Sequence, residues 1–203
     1  MRLPSIPVTC LVVVLSSCGG ATSESATTPA NPANPATRVQ AQAQWDDLPG
    51  GAGWTQAVLD ALDGPGAALI DRVPGDAAAF CPAFAASGPE ARKAFWVSFL
   101  SVLAGEESTW REDVSGGGGR WHGLLQISPA TARGYGCEAT TADGLKSGEA
   151  NLACGVRIMA TTVARDGVIA DGGGVAADWG PLTRARQRDK ISAYTQAQSY
   201  CAQ

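Results

Sequence analysis

The sequence predicts an α+β domain that is mostly helical, with one long central helix and a minor β-hairpin or loop region. Three observations carry this. Residues 89–108 open on a proline and run through Phe95, Trp96, Phe99, Leu100, Val102 and Leu103, a wide apolar helix face. Residues 147–166 space Leu152, Val156, Met159 and Val163 at three or four, again the period of a helix. Residues 110–126 instead hold the run Gly116-Gly117-Gly118-Gly119 and no sustained period, which suits a loop or small hairpin.

Ahead of the domain, residues 1–17 read as an export signal. Arg2 supplies a weak basic start, and Val8 to Leu15 form an apolar core too short to span a bilayer. Leu15-Ser16-Ser17-Cys18 matches a bacterial lipobox, so Cys18 is expected to be the lipidated first residue and to anchor the chain to a membrane. Gly19 follows it, with no aspartate to signal inner-membrane retention. The expected location is the cell envelope, at the periplasmic face of the outer membrane. Residues 18–44 are rich in Ala, Thr, Pro, Asn and Gln and poor in large apolar side chains, the composition of a disordered tether. The folded domain is expected over 45–203.

Within it, Trp54, Val58 and Leu62 share a helix face, and Asp63-Gly64-Pro65-Gly66 ends that helix. Short helices are expected over 67–71 and 76–84, with Pro82 near a start or kink. Glu90 complements the positive end of the 89–108 helix. Ser128-Pro129 is a cap followed by a first-turn proline, with Gly134 as a stop, and Ser147 caps the 147–166 helix. Gly172-Gly173-Gly174 breaks the chain before a terminal helix over 183–200, with Ile191, Tyr194 and Ala197 facing inward. No internal repeat is visible.

The chain is acidic, with 15 basic and 19 acidic residues. Removal of the signal takes away one charge, Arg2, and no basic cluster stands out, which argues against nucleic acid as a partner. Cys10 falls in the signal and Cys18 at the anchor, leaving Cys81, Cys137, Cys154 and Cys201. An even count in an exported domain reads as two disulfides, and three pairings are possible. The favoured one is Cys81–Cys201, tying the C-terminal segment to the early helices, with Cys137–Cys154 closing a local loop. No CxxC spacing exists, and the single histidine, His122, is far from every cysteine, so no metal or other cofactor is expected. His122, beside Trp121, reads as a surface residue, and one histidine with no nucleophile beside it makes no triad.

The chemistry concentrates where the central helix ends, in Leu103-Ala104-Gly105-Glu106-Glu107-Ser108-Thr109-Trp110. A carboxyl group beside apolar and aromatic groups is held protonated near neutral pH and becomes a proton donor. Two glutamates compete for the part. Glu107 lies on the line of Trp96, Leu100 and Leu103, Glu106 on that of Phe95, Phe99 and Val102, and spacing alone does not choose between them.

Glu107-Ser108, followed 16 residues later by Gly123-Leu124-Leu125-Gln126 and then Ser128-Pro129-Ala130-Thr131-Ala132, resembles the lytic transglycosylases and goose-type lysozymes. Asn151-Leu152-Ala153-Cys154-Gly155 is similar to that group's Asn-aliphatic-Gly element. The likeness covers roughly 95–181; residues 45–88 match nothing in it.

The resemblance implies a lysozyme-like fold and cleavage of the β-1,4 bond between N-acetylmuramic acid and N-acetylglucosamine in peptidoglycan glycan strands, leaving 1,6-anhydro ends. It makes Glu107 the catalytic acid and base, since the family's glutamate is followed by serine. Ser108, Trp121, Leu124, Gln126, Asn151, Trp179 and Tyr194 would then bind substrate. One element departs: where many members have Ala-Tyr-Asn, with a tyrosine touching the catalytic glutamate, this chain reads Ala177-Asp178-Trp179-Gly180-Pro181. Trp179 then walls the cleft or sits in the core, and Tyr194 is the substitute hydroxyl or another core aromatic. A hydrolysing muramidase is the alternative activity, with Glu112 or Asp113 as the second carboxylate that activates water. A catalytically inactive peptidoglycan-binding lipoprotein is the alternative class. Oligomeric state is not legible in the sequence.

Overall fold

The structure is a computed structural model, and it describes residues 40–202. The export signal, the Cys18 anchor and residues 18–39 of the expected tether lie outside the described residues.

The fold is mostly α with a minor β element, as the sequence predicts. The helices are α1 (Gly51–Leu62), α2 (Ala67–Asp71), α3 (Pro89–Ser108), α4 (Pro129–Gly134), α5 (Gly148–Asp166), α6 (Gly180–Thr183) and α7 (Ala185–Gln196). Two short antiparallel strands, β1 (Ser115–Gly116) and β2 (Trp121–His122), pair Ser115 with His122 and Gly116 with Trp121.

Helix α3 is the axis of the domain. Every residue from Ala94 to Ala104 is buried, so the helix is enclosed on all sides, as expected of one apolar all round. Helices α1 and α2 cover one side of α3, and α6 and α7 another; α5 packs on α1 and α2. The pairs Phe84–Phe95, Phe95–Trp96 and Trp96–Phe99 meet edge-on with ring centroids 5.1 to 5.3 Å apart, the arrangement their quadrupoles favour. The Trp96 indole donates to Leu69 O at 3.0 Å, so its one polar atom is satisfied in the core.

Ser98 and Ser101 are buried polar residues in the middle of α3. Ser98 Oγ bonds Gln42 O and the Tyr200 hydroxyl, while Ser101 Oγ accepts from Gln44 N–H at 3.0 Å. Ala43 is buried as well. Packing therefore starts ahead of the expected boundary at Trp45, because two core serines need the backbone of 42–44 as partners.

Both disulfides form in the favoured pairing, Cys81–Cys201 and Cys137–Cys154. Two helix expectations are corrected. Residues 76–84 give 3-10 turns at Ala77–Ala79 and Phe84–Ala86 rather than an α-helix. Asp76 spends its carboxylate on the N–H groups of Ile169, Ala170 and Asp171 and caps nothing of its own, and Pro82 interrupts the run. The terminal helix over 183–200 is split, with Arg184 extended between α6 and α7 and a 3-10 turn at Ser199–Cys201. Ile191 is buried and Tyr194 half-buried, but Ala197 is exposed; Thr195 and Gln198 are buried instead. Helix α7 ends at Gln196, so Ala197 and the residues after it no longer follow its period.

Candidate active site

The C-terminus of α3 brings the two glutamates out of the core together and treats them oppositely. Glu106 receives Lys190 Nζ in an ion pair and Gln187 Nε2 at 3.0 Å, both from α7. The Lys190 hydrogen bond holds its carboxyl below the usual range. Glu107 is half-buried, and among the described residues its carboxylate has no hydrogen bond or ion pair. Burial pushes its pKa up to about 7, against the Arg184 guanidinium, which pulls it down; the Glu106 charge adds a smaller upward push. One glutamate is an anion at neutral pH, and the other is divided between acid and base.

The chain turns sharply after them. Thr109 and Trp110 both adopt left-handed backbone (φ 53° and 55°), at a cost of about 1–3 kcal/mol for each such non-glycine residue. Trp110 folds back so that its indole donates to Ser101 O at 2.8 Å. A Cβ on Gly105 would stand 2.7 Å from that ring, so this glycine is what lets the indole lie across the last turn of α3. The strained corner and the carboxyl it carries are held as one unit.

The hairpin β1–β2 leads from this corner to the Gly123-Leu124-Leu125-Gln126 turn. Gly123 has φ +75°, and a Cβ there would meet Leu145 O at 2.0 Å, so no other residue fits. Gln126 is also left-handed (φ 50°), and its Nε2 donates to Gly123 O at 2.9 Å, closing the turn on itself. The turn is bound to α5 by Asn151, which is fully buried. Asn151 Oδ1 accepts from Leu125 N–H at 2.8 Å, and its Nδ2 donates to His122 O at 2.9 Å and Leu145 O at 2.8 Å. Gly155, one turn further on, leaves room for Leu125, whose Cδ1 would lie 2.2 Å from a Cβ.

The expected substrate-binding residues separate accordingly. Trp121 is 42% exposed, with Arg120 over its ring at 5.1 Å, and is available as a sugar platform. Gln126 is half-buried at the turn. Ser108 is buried and donates to Ala104 O at 3.1 Å, so its hydroxyl belongs to the helix end. Leu124 is fully buried, a core residue whose side chain meets no solvent. Asn151 has spent all its polar atoms on backbone. Trp179, 4% exposed, donates its indole N–H to Leu125 O at 2.9 Å and braces the turn from the other side. Tyr194 makes no hydrogen bond to Glu107; burial raises its pKa, and the charge beside it is Asp46. Among the described residues no tyrosine hydrogen-bonds Glu107, and the Tyr135 hydroxyl donates to Asp178 at 2.9 Å.

His122 is corrected from surface to interior: it is buried, and its Nδ1 bonds Ser115 Oγ at 2.8 Å across the hairpin. Of the two further carboxylates, Glu112 Oε2 accepts from Gly148 N–H at 2.8 Å and from the Trp54 indole at 3.3 Å, which ties it to the start of α5. Asp113 is exposed on the loop. Among the described residues no group of three or more His, Cys, Asp and Glu side chains is assembled for a metal. Arg184, whose charge acts on Glu107, falls in a basic run, against the expectation that no basic cluster stands out. The crowding of Arg184, Arg186, Arg188 and Lys190 was a signal for it, once α7 is seen to return to the end of α3.

No protein-family model and no curated protein matches the chain. It is similar over 80% of its length to the structures of Bd0314 DslA, a Bdellovibrio protein, of which it covers 98%, at 32% identity and a TM-score of 0.71. These are a wild-type form and a variant with one glutamate replaced by glutamine; a second such variant matches at 31% identity with the same TM-score. Identity and coverage at that level place the chain in the DslA family.

Proposed function

We propose that the protein is a peptidoglycan lytic transglycosylase, tethered in the cell envelope through Cys18, in which Glu107 is the single acid and base. The observation that carries this reading is the unpartnered, half-buried Glu107 carboxyl with a pKa raised to about 7. Such a group is protonated in a large fraction of molecules near neutral pH and can donate to the glycosidic oxygen. It then accepts the proton of the muramic acid 6-hydroxyl as that oxygen attacks the anomeric carbon, which gives the 1,6-anhydro end. One carboxyl suffices, because the substrate brings its own nucleophile. Glu112 is committed to Gly148 and Trp54, which removes one of the two candidates for the second carboxylate that an inverting hydrolase needs. Trp121 would stack on a sugar face, and the Gly123–Gln126 turn would line the cleft.

A muramidase is the second reading, with exposed Asp113 as the base that activates water. Digestion of purified sacculi by the wild-type protein and by Glu107→Gln, with mass spectrometry of the soluble fragments, tests all of this. Anhydro-muropeptides from wild type and none from Glu107→Gln support the proposal. Reducing ends favour the muramidase. Binding to sacculi without release of any fragment favours a non-catalytic envelope protein. The two DslA variants each carry a glutamate-to-glutamine exchange, at two different positions of that protein.

A further inference from the structure

A groove of about 910 Å³ runs beside the end of α3, lined by Glu106, Arg184, Arg186, Gln187, Asp189 and Lys190. Its charges are unevenly used. Lys190 is neutralised by Glu106. Arg184 Nη1 has only the amide oxygen of Gln187, at 3.3 Å, and Arg186 has no hydrogen bond or ion pair among the described residues. Asp189 is shared with a neighbouring cavity that Arg188 also lines.

Two further facts make the cations unusual. The chain is acidic overall, yet four of its fifteen basic residues fall within positions 184–190. They also sit at the wrong end of a helix. The first turn of α7 holds Arg186 and Arg188 and no acidic residue, although the positive pole of a helix disfavours cations there. Exposed guanidiniums and a helix N-terminus thus present the same sign to the same groove, at some cost to stability. That arrangement is adverse for folding and favourable for an anion.

We propose that Arg184 and Arg186 form a carboxylate-binding subsite next to Glu107, which takes an acidic group of the glycan substrate. The inference rests on the peptidoglycan reading above and names what the site would select. Anionic carboxylates on such strands come from two sources: the stem peptide, or the lactyl group of a strand whose stem has been removed. Both offer a planar acceptor that an arginine fork binds in two-point fashion. A substrate carboxylate seated there would also offset the Arg184 charge that faces Glu107.

The test uses full-chain Glu107→Gln, so that ligands are bound and not cut, with and without Arg186→Gln or Arg186→Lys. The probes are soluble uncrosslinked strands with stems, strands stripped of stems, stripped strands with amidated lactyl groups, and a chitin oligosaccharide that has no carboxylate. Arg186→Gln is expected to weaken carboxylate-bearing strands about tenfold, the scale of a charge-assisted hydrogen bond, and to leave the chitin oligosaccharide unchanged. Arg186→Lys is expected to recover part of the loss. Loss on stemmed strands alone assigns the stem carboxylate; loss on stripped strands that amidation abolishes assigns the lactyl group. Equal loss on the chitin oligosaccharide, or no loss on any strand, overturns the subsite. If the wild-type protein cleaves sacculi while Arg186→Gln binds every probe normally, the subsite fails and the enzyme stands. If it cleaves nothing yet binds carboxylate-bearing strands through Arg186, the enzyme fails and the subsite stands.

Discussion

Lys190 of α7 holds Glu106 in an ion pair, and so separates two glutamates that sit side by side in the sequence. Glu106 becomes part of the wall between α3 and α7. Glu107, one residue on, feels only the longer-range charge of Arg184, the residue just before α7, and among the described residues keeps a carboxyl free of partners.

Replacing Glu107 by Gln is expected to lower fragment release by at least about a hundredfold, the usual contribution of a general acid. It should also change stability in a defined pH window. With its pKa raised from 4.5 to about 7, Glu107 binds its proton more tightly folded than unfolded. Wild-type stability therefore falls as pH rises from about 4.5 to about 7 and is level above that. Glutamine has no such penalty. Thermal melts at pH 4 and pH 8 should show the variant gaining over wild type on the order of 2 kcal/mol across the window, after allowance for screening of a half-buried group. A gain that is the same at both pH values would contradict the raised pKa.

Arg184→Gln and Glu106→Gln should move the alkaline limb of activity in opposite directions. Arg184 pulls the Glu107 pKa down and Glu106 pushes it up. Removing the arginine thus extends activity to higher pH, and removing Glu106 curtails it. Rate profiles on a soluble strand, taken between pH 5 and 9, read both shifts.

Asn151→Ala is expected to cost about 3 kcal/mol, since it strands the buried groups of Leu125, His122 and Leu145 at once. Trp179→Phe should cost only about 1 kcal/mol, for one lost bond to Leu125 O, and leave glycan binding intact. Denaturant melts and binding to the chitin oligosaccharide check both. A large affinity loss in Trp179→Phe at unchanged stability would return that indole to the cleft.

The two disulfides should differ in worth by the loops they close. Paired serine substitution at Cys137 and Cys154, 17 residues apart, is expected to cost about 3 kcal/mol. The pair at Cys81 and Cys201, 120 apart, should cost about 4 to 5 kcal/mol by the same chain-entropy argument. Denaturant midpoints of the two double variants give the order.

Most of the helical frame was legible in the sequence because its signals are local. Ser128-Pro129 and Ser147 cap α4 and α5 where expected, and Pro89 starts α3. The choice between Glu106 and Glu107 was not legible, for a reason the fold supplies. With Ala94 to Ala104 buried all round, both glutamates continue a buried line, so the period of α3 carries no preference. The choice is made by Lys190 and Gln187, more than 80 positions away in the chain. Asn151 and Trp179 were ambiguous for a related reason. A polar or aromatic residue that braces a turn and one that touches a sugar have the same identity in sequence; only the partner, Leu125 in both cases, tells them apart.

The bracing of Leu125 has a thermodynamic consequence. Its N–H is held by Asn151 and its C=O by Trp179, with Gly123 and Gln126 fixed in left-handed backbone on either side. A segment pinned at both poles of one peptide loses little entropy when a ligand arrives, so the turn acts as a preorganised wall. Discrimination between ligands then falls to exposed side chains, Trp121 on the hairpin and Arg186 on α7. Changes in substrate preference within this architecture are expected to arise at those two positions, with the turn itself unaltered.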